Sequence, residues 1–191
     1  MKPILAVFGG SFNPPHIGHM WLAEYVLSFE NVEKLLVVPA RHHALKKSLA
    51  PFERRLLWLQ FLFENFDQRL EISDIESQIF ENHVPVFTVR LLDTLASKYP
   101  EYDVRLVVGS DITKSGETRR WFKWDRIVSL YKPIVVPRTG WTQEITSCPN
   151  VSSTVLREHI ALGDLESIKD MTSQRILEDI RKKGSPWTSF L

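Results

Sequence analysis

Short apolar runs alternating with helix-spaced segments predict an α/β fold, a single doubly wound parallel sheet forming one domain over residues 1–191. Two further observations point the same way. Most of the apolar runs end at glycine or proline, the punctuation expected where a strand stops. The first run also passes through Gly9-Gly10 directly into a helical pattern, as a βαβ unit requires. In such sheets ligands bind beyond the carboxyl ends of strands, where the strand order reverses.

Taken in order, residues 3–7 read as a buried strand, and residues 20–29 as a helix with Leu22, Val26 and Phe29 at helical spacing. KLLVV at 34–38 is a second strand, closed by Pro39. A basic loop follows over 40–50, with Arg41, His42, His43, Lys46 and Lys47. Pro51 suits a first helical position, and the helix it opens runs to about Asn65 on an apolar face of Leu56, Leu57, Leu59, Phe61, Leu62 and Phe63. Residues 69–72 form a third strand. The pattern over 73–85 is weak and reads as loop with room for a short helix. Residues 87–97 are helical by spacing, and 104–108 (VRLVV) are a fourth strand ended by Gly109.

Residues 121–130 read as a helix with Trp121, Trp124, Ile127 and Val128 inward, and 134–136 as a fifth strand before Pro137. Residues 138–150 are turn-rich. Within Val151-Ser152-Ser153-Thr154-Val155-Leu156-Arg157 a hydroxyl can cap a helix running to Leu162. Gly163 ends that helix, Asp164 is placed to cap another, and a last helix runs over 172–183 until Gly184. The segment 185–191 is apolar enough to dock on a neighbouring copy or to fray, which leaves a homo-oligomer open.

Composition narrows the class. Hydrophobic content of 43% and charged content of 25% are those of an ordinary globular protein. A formal charge of +1 provides no field to attract nucleic acid or a membrane surface. The single cysteine, Cys148, excludes an internal disulfide and suits a reducing cytoplasm, which is the expected location. No apolar run approaches the roughly 20 residues a bilayer span needs, and the first apolar run breaks too early at Gly9-Gly10 to read as a signal peptide.

The chemistry concentrates in Phe8-Gly9-Gly10-Ser11-Phe12-Asn13-Pro14-Pro15-His16-Ile17-Gly18-His19. A helix start leaves backbone N–H groups unpaired and carries partial positive charge, so it receives anions. Glycines let backbone approach a phosphate where a Cβ would intrude. His16 and His19 are three apart, so in a first helical turn they point the same way and can donate to phosphate oxygens. Neither GxGxxG nor GxxxxGK[ST] occurs. A second helix start with the same physics lies at Val151-Ser152-Ser153-Thr154-Val155-Leu156-Arg157, where hydroxyls precede an arginine one turn in.

His16-Ile17-Gly18-His19 resembles the HxGH signature of the nucleotidylyltransferase superfamily, shared with class I aminoacyl-tRNA synthetases. The longer string from Gly9 to His16 resembles the opening of bacterial nicotinate-nucleotide adenylyltransferases, with Asn13 where Asp is common. Residues 151–157 resemble that family's ISSTxxR signature. The resemblance implies a Rossmann-like nucleotidylyltransferase fold and transfer of the adenylyl group of ATP, with Mg²⁺ carried on the phosphates, to nicotinate mononucleotide. His16, His19 and Arg157 are the implied catalytic residues. Gly9, Gly10, Ser11, Phe12, Gly109, Asp111, Arg138, Ser152, Ser153 and Thr154 join them around ATP. Ser11, Lys46, Thr88 and Trp121 are implied around the mononucleotide.

The acceptor side departs from the family. His43-Ala44-Leu45 stands where Pro-Pro-His usually precedes the lysine, here Lys46. Only Thr88 matches a Ser-Tyr-Thr motif, and Trp121 lies about two residues further from Asp111 than usual. The two loop histidines, His42 and His43, have no further metal ligands at suitable spacing. Trp121 is equally readable as a core aromatic. Nicotinamide mononucleotide is therefore the nearest alternative acceptor, phosphopantetheine a more distant one, and a nucleotide sensor without turnover the alternative outside enzymes.

Overall fold

The computed structural model describes residues 1–42, 48–79, 86–116, 118, 121–138 and 151–187. Five parallel strands form one sheet in the order β3-β2-β1-β4-β5. They are β1 (Ile4–Gly10), β2 (Val32–Pro39), β3 (Leu70–Ile72), β4 (Asp103–Gly109) and β5 (Ile134–Val136). The register aligns their carboxyl ends: Gly10 lies beside Pro39, and Gly109 beside Val136. Because β1 sits between β2 and β4, the strand order reverses at the ends of β1 and β4, the place where such sheets open a binding crevice.

Both faces of the sheet are covered, which is why its central strand is apolar on successive residues instead of alternating. In β1, Leu5, Ala6 and Val7 are all fully buried. Ala6 and Phe8 face a core built with α1 (Ile17–Phe29), α2 (Phe52–Leu62), α7 (Ser153–Ala161) and α8 (Gln174–Lys183). Leu5 and Val7 face the opposite core, formed with α3 (Ile75–Ile79), α4 (Thr88–Lys98) and α6 (Trp124–Tyr131). A one-turn helix, α5 (Ser110–Lys114), leaves the end of β4. Among the described residues no helix is long and apolar enough to cross a membrane.

Several expectations need correction. Helix α1 begins at Ile17 instead of residue 20, because His16 serves as its N-cap and His19 reaches back to the His16 N–H. Phe29 is exposed, and the buried face of α1 is carried by Gly18, Ala23, Val26 and Leu27. Pro51 is the N-cap of α2 and not its first helical residue, and the buried face of that helix includes Arg55 and Trp58. In α6 the inward stripe is Trp124, Ile127 and Tyr131, so Val128 points to solvent and Trp121 lies in the turn ahead of the helix. Asp164 opens no helix; it accepts from the Ser167 N–H at 3.2 Å and pairs with His159, closing a turn. Cys148 and most of the segment 138–150 fall outside the described residues.

The carboxyl-terminal helix is fastened to α2. Asp179 accepts from Arg54 Nε at 2.7 Å and Trp58 Nε1 at 2.9 Å, and Lys183 lies 2.9 Å from its other oxygen. Trp187 then packs on Trp58, with ring centroids 5.7 Å apart. This part of the C-terminal segment is therefore docked on its own chain.

Candidate active site

The end of β1 is shaped for close backbone approach. A Cβ added at Gly9 would meet nothing within 4 Å, so this residue borders open space. At Gly10 a Cβ would press on the Phe12 ring at 3.1 Å. Phe12 turns the chain with a φ of 46° and is buried edge-on against Phe8, 5.2 Å away. Asn13 follows, buried, with a cis bond to Pro14. Its side chain accepts from the Ala50 N–H at 2.8 Å and donates to the Ser48 carbonyl at 3.1 Å. An aspartate could not make the second bond, which accounts physically for the amide at this position.

The two histidines stack, with ring centroids 3.8 Å apart. The His16 N–H donates to His19 Nδ1 at 3.1 Å, and the His19 N–H donates to the His16 carbonyl at 2.8 Å, so that helix-start donors are satisfied. With Nδ1 accepting, a neutral His19 carries its proton on Nε2 and presents that N–H as a donor. Burial, followed by the Arg138 cation, lowers the His16 pKa to about 3. Burial also holds His19 well below the ordinary histidine value, helped by His16 and Arg138. Both rings are therefore neutral at pH 7 in the free protein. His16 Nδ1 is buried with no hydrogen-bond partner among the described residues, a donor or acceptor held in reserve.

This has a checkable consequence. Folding keeps the histidines neutral, whereas the unfolded chain protonates them below about pH 6.5. Their contribution to stability is thus complete above that value and is lost as the pH falls below it, by up to about 1.4 kcal/mol per pH unit for each fully shielded ring. In an NMR titration of the free protein, the ring protons of His16 are expected to stay unshifted between pH 8 and 5.

The late helix start joins the same backbone. Ser152 caps α7 by accepting from the Val155 N–H. Ser153 Oγ donates to the Pro14 carbonyl at 2.8 Å, and Arg157 Nη1 donates to the Asn13 carbonyl at 2.8 Å. Arg157 Nη2 also meets Thr154 Oγ1 at 3.1 Å. Two partners that the local sequence did not reveal complete the seam: Thr172 Oγ1 donates to the Pro15 carbonyl at 2.8 Å, and the Met171 carbonyl accepts from the Ile17 N–H at 2.9 Å. Residues 13–17 are therefore held along their length, and the starts of α1 and α7 converge.

The end of β4 supplies a third wall. A Cβ at Gly109 would lie 2.2 Å from Asp111 Oδ1, so only glycine leaves this carboxylate its place. Asp111 Oδ2 pairs with Arg138 at 2.7 Å. Arg138 also donates to the Val151 carbonyl, and its N–H donates to Ser110 Oγ, each at 2.9 Å. One arginine thus ties the ends of β4 and β5 to the approach to α7, and its charge reaches both histidines.

Of the residues expected around the mononucleotide, Thr88 is half-buried at the start of α4. Trp121 is half-buried in the turn before α6, edge-on to Trp124 at 5.5 Å. The exposed rings of Phe87 and Phe122 meet at 5.0 Å, linking that turn to α4. Lys46 and His43 lie outside the described residues. Ser11 belongs to the turn after β1, where its carbonyl is taken by Arg55 at 2.8 Å.

A parallel sheet that delivers two anion-suited helix starts to one edge defines a nucleotide-handling class. The chain belongs to the cytidylyltransferase-like family, whose model matches residues 7–159. It is 35% identical over 175 residues to a protein of Anaeromyxobacter dehalogenans (strain 2CP-C) named probable nicotinate-nucleotide adenylyltransferase, with 91% of each chain covered. A protein of the same name from Anaeromyxobacter sp. (strain K) is 32% identical, with 94% of this chain and 95% of that one covered. Within its family the chain therefore takes its place among the nicotinate-nucleotide adenylyltransferases. In fold it is similar to the Plasmodium falciparum nicotinic acid mononucleotide adenylyltransferase complexed with NaAD, with a TM-score of 0.79 at 18% identity over 96% of this chain and 97% of that one.

Proposed function

We propose that this chain is an adenylyltransferase that joins nicotinate mononucleotide to the AMP moiety of ATP, giving the deamido form of NAD and pyrophosphate. The observation that carries the site assignment is the shared seam over residues 13–17, which brings the helix starts at His16 and Ser152 together. An oxygen of the acceptor's 5′-phosphate attacks the α-phosphorus of ATP. The bond from that phosphorus to the bridging oxygen breaks, and pyrophosphate leaves with the electron pair. A phosphate monoester is already largely ionised at pH 7, so the step needs no general base. Positioning and neutralisation of charge supply the acceleration.

In this reading His19 Nε2–H and His16 donate to phosphate oxygens, and Arg157 stabilises charge as the bridging oxygen departs. Gly9, Gly10, Ser11 and Phe12 shape the turn for the triphosphate, together with Ser152, Ser153 and Thr154. Gly109, Asp111 and Arg138 line the nucleoside side. Ser11, Lys46, Thr88 and Trp121 serve the mononucleotide. The imidazoles, guanidiniums and N–H groups of this set suit an anion, and Mg²⁺, which needs oxygen ligands and retains several waters, enters as part of the MgATP substrate.

Purified protein with MgATP and each candidate acceptor tests the reading, with pyrophosphate release and product mass as readouts. Nicotinate mononucleotide is expected to react fastest. Preference for the nicotinamide form, or for phosphopantetheine, would reassign the acceptor; ATP binding without turnover would make the chain a sensor.

Gly9 gives a finer test. Because its added Cβ meets only open space, Gly9→Ala is expected to leave the melting temperature unchanged. The methyl group would project where the triphosphate approaches, and kcat/KM for ATP should fall about a hundredfold. Steady-state kinetics beside a thermal melt separate the two effects.

A further inference from the structure

We propose that Arg55 and Glu76 are positioning residues that set the start of the acceptor loop, residues 40–42, against the phosphate turn by gripping one peptide group between them. The inference rests on the adenylyltransferase reading for its substrates, but its geometry is independent of that reading. Neither residue belongs to either signature stretch of the sequence. Arg55 interrupts the apolar pattern of α2, and Glu76 lies in the weakly patterned segment before α4.

Both side chains are buried, Arg55 completely. Among the described residues Arg55 makes no salt bridge; its fork is spent on carbonyls. Nη2 donates to Ala40 at 2.7 Å, Nη1 to Ser11 at 2.8 Å and Nε to Ala50 at 2.9 Å. Glu76 Oε2 accepts from the Arg41 N–H at 2.7 Å. The Ala40 carbonyl and the Arg41 N–H belong to the same peptide unit, so a buried cation holds one end of it and a buried carboxyl the other. The Ala40 N–H, one unit earlier, donates to the Gly10 carbonyl at 2.8 Å. Asn13 takes the Ala50 N–H while Arg55 takes the Ala50 carbonyl. Segments at 10–13, 40–41 and 48–50 are thereby fixed to one another through buried side chains that spend their polar atoms on backbone groups.

The energetics favour a purpose beyond packing. Burying a guanidinium carries a large desolvation penalty, and each charge-assisted bond to a carbonyl returns part of it. Three of them offset the cost without a large surplus. Burial pulls the Arg55 pKa down to about 10, so it remains a cation. Burial pushes the Glu76 carboxyl up to about 7, against the opposing pull of the Arg41 N–H and Arg55. An apolar pair would fill this space more cheaply but would leave the peptide unheld. A lysine at 55 offers one ammonium and cannot span three carbonyls.

The test uses the full chain with Glu76→Leu, Glu76→Gln and Arg55→Lys. Glu76→Leu removes the acceptor for the Arg41 N–H, whereas glutamine keeps one. Expected for Glu76→Leu is a KM for nicotinate mononucleotide raised about tenfold, KM for ATP within twofold, and amide exchange at Arg41 accelerated at least tenfold. Glu76→Gln should restore all three to near wild type. Arg55→Lys, which loosens both the turn and the loop, should raise both KM values. A fall in kcat alone with both KM values unchanged, or Glu76→Gln behaving as Glu76→Leu, overturns the proposal. If the wild type turns over no mononucleotide, the functional reading fails by itself, and the Arg41 exchange of the two Glu76 variants still decides whether the grip sets the loop. Should Arg55→Lys not fold, the Glu76 pair decides alone.

Discussion

His19→Ala is expected to lower kcat about 100- to 1,000-fold, equivalent to about 2.7–4 kcal/mol, the loss typical of one donor to transition-state charge. The structure explains why this ring in particular should matter. Its Nδ1 is occupied by the His16 N–H, so the proton sits on Nε2 and the donor is set before substrate arrives. Its neutrality, imposed by burial beside His16 and Arg138, means that donation does not depend on being protonated at low pH. Removing the ring also frees the His16 N–H and ends the stack, so a thermal melt must accompany the kinetics. His19→Gln is the informative companion: its amide can accept from the His16 N–H and still present a donor, and it should recover part of the rate. Wild-type turnover by folded His19→Ala would remove His19 from the mechanism.

The largest expected effect on stability lies elsewhere, at Asp179. This carboxylate is 8% exposed and collects Arg54, Trp58 and Lys183. Burial alone would raise its pKa, but the donors from Lys183, Arg54 and Trp58 outweigh it and hold the carboxyl at about 2. Asp179→Ala strands the largely buried Arg54 without its counter-charge and leaves the Trp58 N–H unpaired. Loss of one member of such a pair costs about 3–5 kcal/mol, which urea denaturation would register directly. Lys183 contributes little, since its side chain is 60% exposed and solvent screens it. The sign with pH follows from the lowered pKa. The contribution is present above about pH 3.8, the unfolded value, and disappears as the pH falls through 2. The gap between wild type and Asp179→Asn should narrow over that range.

Both helix starts were legible because their chemistry is local: two glycines, two prolines and a histidine pair in one stretch, hydroxyls before an arginine in the other. Four of the five strands are legible for a similar reason, as apolar runs closed by glycine or proline; β3, Leu-Glu-Ile before Ser73, lacks that punctuation. What escaped is what long-range partners decide. The start of α1 at Ile17 is hidden in the sequence because histidine is an uncommon N-cap, and here its N–H is satisfied by His19 Nδ1. Asp164 has the appearance of a cap, yet its second oxygen is drawn to His159 and the chain turns without coiling. Arg55 reads as a break in an apolar stripe until the carbonyls of Ser11, Ala40 and Ala50 are seen converging on it. Thr172 looked like the first residue of a helix, whereas its hydroxyl serves Pro15.

The bond between Thr172 and Pro15 spans 157 positions. On a ribosome adding roughly 5–20 residues per second, the histidine turn would emerge about 8–30 s before the hydroxyl that braces it exists. The nascent chain must therefore carry its signature stretch without this brace while the intervening residues are added. The turn has all of its described braces only once residue 172 has joined the chain.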